Sequence, residues 1–195
     1  VNSTQPEAVD EIASSQRVTT AVGLVILPRI APTIAAAIEK RMEQGVKEYM
    51  NIIACENAIR GSSQLKAAVY DHLSEEGKKY ADEYIGFPDC AVDRIVPPVK
   101  SENFIDVVVE SYHEWDVERC GFKGEIPKIQ GMTVVDNLEA YLERKLFTLN
   151  TGHAITAYLG NRKGLSTIDK AIADDEIFAI VSAAMKESGD GLIKK

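Results

Sequence analysis

Three side chains in the last third of the sequence have the types and spacing to take a proton from an alcohol. Lys145, Asn150 and His153 lie in the segment K-L-F-T-L-N-T-G-H, and on a continuous α-helix they fall within an arc of about 140°. Apolar neighbours indicate a partly desolvated site, where a neutral amine is a usable general base. The asparagine amide would hold a developing alkoxide as an oxyanion hole does, and His153 would orient the substrate or the lysine.

The same three residues also have a purely structural interpretation. A surface lysine, a capping asparagine and a histidine satisfied in the core would produce the same pattern. Gly152 favours this alternative, because Asn-Thr-Gly is a plausible helix end.

Two strand-to-helix turns earlier in the chain carry further candidates. The first turn consists of Thr20, Ala21, Val22 and Gly23, where a glycine lets the backbone come close to a bound group. The second is Cys55-Glu56-Asn57, directly after an apolar strand. Ligands of open parallel sheets bind outside the carboxyl ends of the strands, although each segment could also be a plain turn. The paired serines that follow, Ser62 and Ser63, are expected to cap the next helix.

The elements that must position these residues follow from apolar periodicity and from Gly and Pro punctuation. Strands are predicted over 17–22, 50–55, 91–96 and 105–112, and helices over 6–16, 30–44, about 62–72 and 74–84. This alternation implies a parallel sheet with crossover helices.

From Asp136 onward the pattern becomes helical. Four helices are predicted. The first two cover 136–149 and 154–159, the third begins at a capping box of Ser166 and Asp169, and the fourth covers about 175–187. In the last helix Ile177, Ile180, Val181 and Ala184 are expected to face inward, and Gly189 and Gly191 to end it.

The composition excludes several classes of protein. The 195 residues include 22 basic and 30 acidic side chains, a formal net charge of -8, which argues against a nucleic-acid partner because such proteins need a basic footprint. No apolar run approaches the roughly 20 residues of a membrane helix, and the polar N-terminus is no signal peptide, so we expect a cytoplasmic protein. Three cysteines without a C-x-x-C pair and three scattered histidines indicate no metal site.

Four segments taken together resemble the polyol-specific long-chain dehydrogenases, the mannitol dehydrogenase family. They are V-T-T-A-V-G (18–23), N-I-I-A-C-E-N-A-I-R-G-S-S-Q-L-K (51–66), A-V-D-R-I-V-P-P (91–98) and E-R-K-L-F-T-L-N-T-G-H-A-I-T-A-Y-L-G (143–160), in the order of that family. The resemblance implies an α/β protein, with a partial Rossmann-type parallel-sheet domain over 1–130 and part of a mostly α-helical domain over 131–195. The family's first strand, its G-x-G-x-x-G turn and the later part of its helical domain are missing, so we expect the chain to be the middle of a longer enzyme.

The likeness is strongest to the family members that act on mannitol 1-phosphate, and it implies the reaction. That reaction is the NAD-dependent interconversion of D-mannitol 1-phosphate and D-fructose 6-phosphate, without a metal. Lys145 would be the general base for alcohol oxidation and the general acid for ketone reduction. Asn57 and Asn150 would stabilise the alkoxide-like oxygen, and His153 would bind a substrate hydroxyl.

The resemblance also assigns binding roles. Thr20, Ala21, Val22, Gly23 and Glu56 would contact NAD. Asp93, in V-D-R, would lie near the polyol. A basic residue must meet the sugar phosphate, and Arg60 and Arg94 are the candidates on charge alone.

Other functions remain open at this point. A mannitol 2-dehydrogenase or a hexuronate reductase of the same family would carry the same four segments. A non-catalytic folding or interaction module is the alternative from another class, because the nucleotide-binding turn is missing. We expect a monomer, and no measurable oxidation of mannitol 1-phosphate by these 195 residues alone.

Overall fold

The computed structural model describes residues 5–97, 102–103 and 105–194 and divides into two compact units, Val1–Leu138 and Glu139–Lys195. The helices of the first unit are α1 (Pro6–Ser14), α2 (Leu27–Glu43), α3 (Gly61–Tyr70) and α4 (Glu75–Tyr84). Its strands are β1 (Arg17–Thr20), β2 (Met50–Ala54), β3 (Ile85–Gly86), β4 (Cys90–Asp93), β5 (Glu114–Glu118) and β6 (Thr133–Val135). Among the described residues, no helix combines the length and the apolar character needed to cross a membrane.

The first sheet is parallel and has the strand order β1-β2-β3, as the alternation of strands and helices predicts. Arg17 pairs with Asn51 and Thr20 with Ala54, so β1 and β2 end at the same level. The Cys55 N–H donates to the Thr20 carbonyl at 2.8 Å, which extends the pairing by one residue. The turns that carry the candidate residues therefore leave the sheet side by side.

Helix α2 covers this sheet with one apolar face. Ala31, Ile34 and Ile38 are buried in a single cluster with Ile52 of β2 and Leu65 of α3. Alanines and isoleucines at helical spacing let the helix approach the sheet closely, while its polar face stays in solvent. Helix α4 begins as predicted, because Ser74 caps it by accepting a hydrogen bond from the Gly77 N–H at 2.9 Å.

The second sheet, β4-β5-β6, corrects one strand prediction. Antiparallel β4 and β5 pair from Cys90 with Val117 to Asp93 with Glu114, and β6 runs parallel to β5. The prediction of a strand over 105–112 is wrong: Ile105 is 69% exposed and Val107 is 70% exposed. High β-propensity describes how well side chains fit a half-buried pleated surface. In this sheet residues 114–118, not 105–112, form the strand that occupies such a surface.

The second unit is helical, as predicted, but the bounds of its four α-helices differ from the predicted ones. They are α5 (Leu138–Lys145), α6 (Thr151–Arg162), α7 (Ile168–Ile172) and α8 (Asp175–Ile193). A π-helical turn, Leu146–Asn150, joins α5 to α6 without a break, so the helix end expected at Asn-Thr-Gly is wrong.

Helix α8 also departs from its predicted bounds. It continues through Gly189 and Gly191, because neither glycine adopts the positive φ that ends a helix. Ile177 and Val181 are buried as expected, but Ile180 is 44% exposed. The residue that precedes α7 is Thr167 instead of Ser166, and it makes no side-chain capping bond.

Candidate active site

Glu56 joins the two predicted turns at the carboxyl edge of the first sheet. Its side chain is buried, at 5% exposure. One carboxylate oxygen accepts hydrogen bonds from Thr20 Oγ1 and the Val22 N–H, both at 2.9 Å, and the other accepts one from the Gly23 N–H at 2.8 Å. The structure thus brings together four of the five residues predicted to contact NAD, and Ala21 lies between them in the same turn.

These three hydrogen bonds, called the Glu56 clamp below, determine which groups of the turn remain available to a ligand. Both oxygens of Glu56 and the N–H groups of Val22 and Gly23 are already engaged. Gly23 has a φ of 90°, a value that a residue with a Cβ rarely adopts. The side chains of Val22 in the turn and of Val25 just after it are 45% and 81% exposed, so this part of the edge presents an apolar surface to solvent.

The two serines after this turn do not cap α3, which corrects the prediction. Ser62 Oγ accepts the Ala54 N–H at 2.9 Å, which satisfies a backbone donor where the strand pairing stops. Ser63 donates through its N–H, at 2.9 Å, and its hydroxyl, at 2.5 Å, to the buried carboxylate of Asp89. Asp89 therefore supplies the negative charge at the N-terminus of α3 that a local cap would otherwise provide.

The next candidates follow the same edge. Asn57 is exposed directly after Glu56. Arg60 precedes α3 with a φ of 54°, the one described non-glycine residue with a positive φ. A strained backbone of this kind is more frequent at functional sites. Its guanidinium is exposed and makes no hydrogen bond or ion pair within the described part of the chain.

Asp93 and Arg94 lie at the end of β4. Asp93 is half-buried, whereas Arg94 is exposed. Arg94 donates from Nε at 3.3 Å and from Nη2 at 3.1 Å to the Glu110 carbonyl, and the Ile95 N–H donates to Glu110 Oε1 at 2.7 Å. Arg94 is thereby tied to the segment 105–112, and the structure does not bring it to Arg60 by any contact.

Lys145, Asn150 and His153 lie on one unbroken helix of the second unit, and all three side chains are half-buried. The Thr151 N–H and Oγ1 both donate to the Leu146 carbonyl, five residues back. A π turn holds one more residue than an α turn, so residues five apart approach each other around the axis. The 140° arc calculated for an ideal α-helix is therefore an overestimate for Lys145 and Asn150.

Helix α8 supports the π turn from one side. Ser188 Oγ donates to the Phe147 carbonyl inside the turn, which supplies a donor where the regular hydrogen-bond pattern is interrupted. A Cβ at Gly152 would lie 2.8 Å from Met185 Sδ. Gly152 is thus a close-packing residue inside a helix, and the structure removes the reason for reading it as a helix end.

Each of the two units is similar to a domain of known proteins. Residues 1–131 match the family model of the mannitol dehydrogenase Rossmann domain, and residues 137–195 match that of the mannitol dehydrogenase C-terminal domain. The fold resembles D-sorbitol dehydrogenase in substrate-free form, with a TM-score of 0.77, 20% identity, and coverage of 91% of this chain and 46% of that one. It also resembles Pseudomonas fluorescens mannitol 2-dehydrogenase in a ternary complex with NAD and D-mannitol, with a TM-score of 0.75, 20% identity, and coverage of 93% and 46%.

The chain spans about half the length of each of these two proteins. Likeness at this identity confirms the predicted fold, a Rossmann-like parallel sheet followed by a helical domain. The two family models together account for nearly every residue, and the chain therefore belongs to the mannitol dehydrogenase family.

Proposed function

We propose that the complete protein carrying these residues is an NAD-dependent polyol dehydrogenase that interconverts D-mannitol 1-phosphate and D-fructose 6-phosphate. The observation that carries the proposal is the arrangement of Lys145, Asn150 and His153 on one helix with a π turn between the first two. Single π turns inside α-helices occur frequently at functional sites. Side chains on a continuous helix are also held more precisely than side chains on a loop.

In this proposal Lys145 receives the proton of the reacting hydroxyl and returns it during ketone reduction. Asn57 and Asn150 donate hydrogen bonds to the oxygen as its negative charge develops, which lowers the barrier most in a site that excludes water. His153 binds a neighbouring hydroxyl and fixes the position of the substrate. Bound NAD would accept hydride from the carbon that carries the reacting oxygen.

The carboxyl edge of the first sheet is a suitable place for the dinucleotide. Glu56 holds the turn from Thr20 to Gly23 in a fixed shape, and the apolar side chains of Val22 in the turn and of Val25 just after it are exposed. An apolar surface at the end of a parallel strand suits the flat rings of a nucleotide. Glu56 would influence NAD binding indirectly, by fixing the shape of this turn. Both of its carboxylate oxygens already accept hydrogen bonds from residues of the turn.

Arg60 is the better of the two candidate phosphate ligands. Its guanidinium has no partner in the described residues, whereas Arg94 is committed to the Glu110 carbonyl. A planar guanidinium can bind two phosphate oxygens at once. The engagement of Arg94 also favours the second candidate function, oxidation of an unphosphorylated polyol, because it leaves Arg60 as the single remaining candidate for binding the phosphate.

The test compares Lys145→Ala with Arg144→Ala in the complete protein. Arg144 is on the same helix and stacks on Tyr141 at 5.3 Å, so its removal is a matched loss of one cation. We expect Lys145→Ala to lower kcat by about three orders of magnitude, in line with general acid–base catalysis, with a few-fold change in NAD affinity. A Lys145→Ala enzyme as active as Arg144→Ala would remove Lys145 from its role.

Substrate choice needs a separate measurement. Rates on mannitol 1-phosphate, mannitol, sorbitol and a hexuronate would be compared for the unaltered enzyme and for Arg60→Ala. Under the proposal Arg60→Ala raises KM for mannitol 1-phosphate and leaves KM for mannitol unchanged. Faster turnover of mannitol than of its phosphate would support the second candidate function instead.

A further inference from the structure

The thiols of Cys55 and Cys90 lie in one apolar cluster, and Cys55 directly precedes Glu56 in the sequence. Cys55 follows β2 and is half-buried, and Cys90 opens β4 at 1% exposure. Both belong to an apolar cluster built on Ile53 and Val117. Cys90 Sγ donates to the carbonyl of Ala54, the residue directly before Cys55, at 3.3 Å, and each thiol shifts the pKa of the other. A thiolate at Cys55 would offer the Cys90 S–H a charged acceptor, which is stronger than the neutral Ala54 carbonyl.

A buried indole N–H lies beside this pair without a partner. Trp115 Nε1 is buried and makes no hydrogen bond within the described chain, although Trp115 packs in the same cluster as Cys55 and Cys90. A buried donor without a partner is unfavourable and calls for an explanation. A charged sulfur, or an oxygen bound to sulfur, at Cys55 would satisfy this donor.

The two sulfurs differ in acidity for a physical reason. The hydrogen bond from Cys90 lowers the pKa of Cys55, against the opposing effects of burial and of Glu56. The partner thiol and burial raise the pKa of Cys90. Desolvation and Glu118 raise the pKa of the exposed Cys120. Cys55 is therefore the most acidic of the three thiols, whereas Cys120 is the most exposed. The thiol that reacts first shows whether acidity or exposure determines reactivity.

We propose that Cys55 and Cys90 form a peroxide-sensitive pair in which Cys55 is the attacking sulfur and Cys90 the resolving one. The Cys55 thiolate bonds to one peroxide oxygen, the O–O bond breaks, and hydroxide leaves, which produces a sulfenic acid. The Cys90 sulfur then attacks the Cys55 sulfur, the S–O bond breaks, and the oxygen leaves as water with the Cys90 proton. The two cysteines together lose two electrons to the peroxide and end as a disulfide.

The disulfide would link the end of β2 to the start of β4, beside Glu56 and Asn57. The thiol chemistry is independent of the proposed function. Its effect on turnover rests on that function, because the linked segment leads directly into the residues proposed to hold NAD and the substrate oxygen. In the complete enzyme we expect peroxide to suppress turnover and dithiothreitol to restore it.

The test is mass spectrometry of the unaltered chain after brief treatment with hydrogen peroxide. We expect intact mass to show the loss of two hydrogen atoms, and peptide mapping to join Cys55 to Cys90 while Cys120 stays reduced. Preferential oxidation of Cys120, or a Cys55–Cys90 pair that stays reduced, would overturn the proposal. This readout requires neither a variant nor enzymatic activity, so it can fail independently of the dehydrogenase proposal.

Variants then assign the two roles. Cys90→Ser should trap the sulfenic acid, so that dimedone labels Cys55, whereas Cys55→Ser should leave Cys90 reduced. Trp115→Phe should slow alkylation of Cys55 by iodoacetamide several-fold and leave the alkylation rate of Cys120 unchanged. Equal alkylation rates of Cys55 in the Trp115→Phe and unaltered chains would show that the indole N–H does not act on the sulfur.

Discussion

Replacing Glu56 by glutamine tests how the carboxyl edge of the first sheet is held. Glutamine keeps the size and shape of the side chain but has one acceptor oxygen and one amide NH₂ group. The carboxylate of Glu56 accepts from Val22 on one oxygen and from Gly23 on the other. In either orientation, therefore, the amide NH₂ of the variant must face a backbone N–H.

The magnitude follows from this count. Each hydrogen bond to a charged group contributes about 1.5–3 kcal/mol, and Glu56→Gln loses one such bond outright and weakens the others. Water can reach the exposed turn and recover part of that loss. We expect the free energy of unfolding to fall by about 2 kcal/mol. Thr20→Val, which removes only the hydroxyl bond, should cost about 1 kcal/mol.

Urea unfolding followed by tryptophan fluorescence measures this directly. Trp115 is the single tryptophan of the sequence and lies in the same unit as Glu56, so its signal reports that unit. The midpoint should shift at a constant slope, as expected for a change in stability alone. Surface substitutions usually change the free energy of unfolding by no more than about 0.5 kcal/mol. A change that small for Glu56→Gln would refute the stabilising role of the Glu56 clamp.

Four further predictions concern stability. Arg41 is 2% exposed and donates to three backbone carbonyls, so Arg41→Met should lower the unfolding free energy by about 3 kcal/mol; an unchanged urea midpoint would contradict this. A Cβ at Gly160 would lie 2.5 Å from a Cβ of α7, so Gly160→Ala should destabilise the second unit by about 1–3 kcal/mol. Gly189→Ala, which meets no atom within 4 Å, should instead stabilise α8 by up to about 1 kcal/mol in thermal melts. Burial and the hydrogen bond to Asp82 raise the pKa of Tyr70. Its contribution to stability is therefore complete below about pH 10 and lost as pH rises; ultraviolet titration of Asp82→Asn should show one tyrosine ionising at lower pH.

Local pattern is enough to predict the first two strands of the first sheet and helices α2 and α4, but not the short strand β3 (Ile85–Gly86). The apolar run from Met50 to Ala54 is buried at every position, and α2 shows its 3.6-residue period in the residues it buries. Ser74 caps α4 with its own hydroxyl. In each case the signal and its partner are close in sequence, so periodicity and capping rules find them.

Prediction fails where the deciding partner is distant. Ile105 and Val107 have a higher strand propensity than Glu114 and Asp116, yet the strand forms where Cys90–Asp93 provides the antiparallel partner. The pairing depends on residues more than twenty positions away along the chain. Propensity ranks candidates for a strand, but hydrogen-bond partners select among them.

Residue types and spacing propose Lys145, Asn150 and His153 as one set, and that assignment stays a prediction. The predicted helices end at 149 and begin again at 154, whereas the structure joins the two helices without a break. The angle between the three side chains could not be predicted, because a constant 100° per residue presumes an α-helix and a π turn intervenes. Its supporting contact, from Ser188 to the Phe147 carbonyl, crosses 41 positions of the chain.

The carboxyl edge shows why sequence patterns describe such sites incompletely. Strand pairing ends at Thr20 and Cys55, so backbone ladders cannot hold the turns beyond that point, and side chains must satisfy the freed backbone groups. Ser62 does this across eight positions, Asp89 across 26, and Glu56 across 33 and 34. The segments C-E-N, S-S and F-P-D therefore hold the same edge through separate hydrogen bonds, and substituting Glu56, Ser62 or Asp89 should disturb that edge.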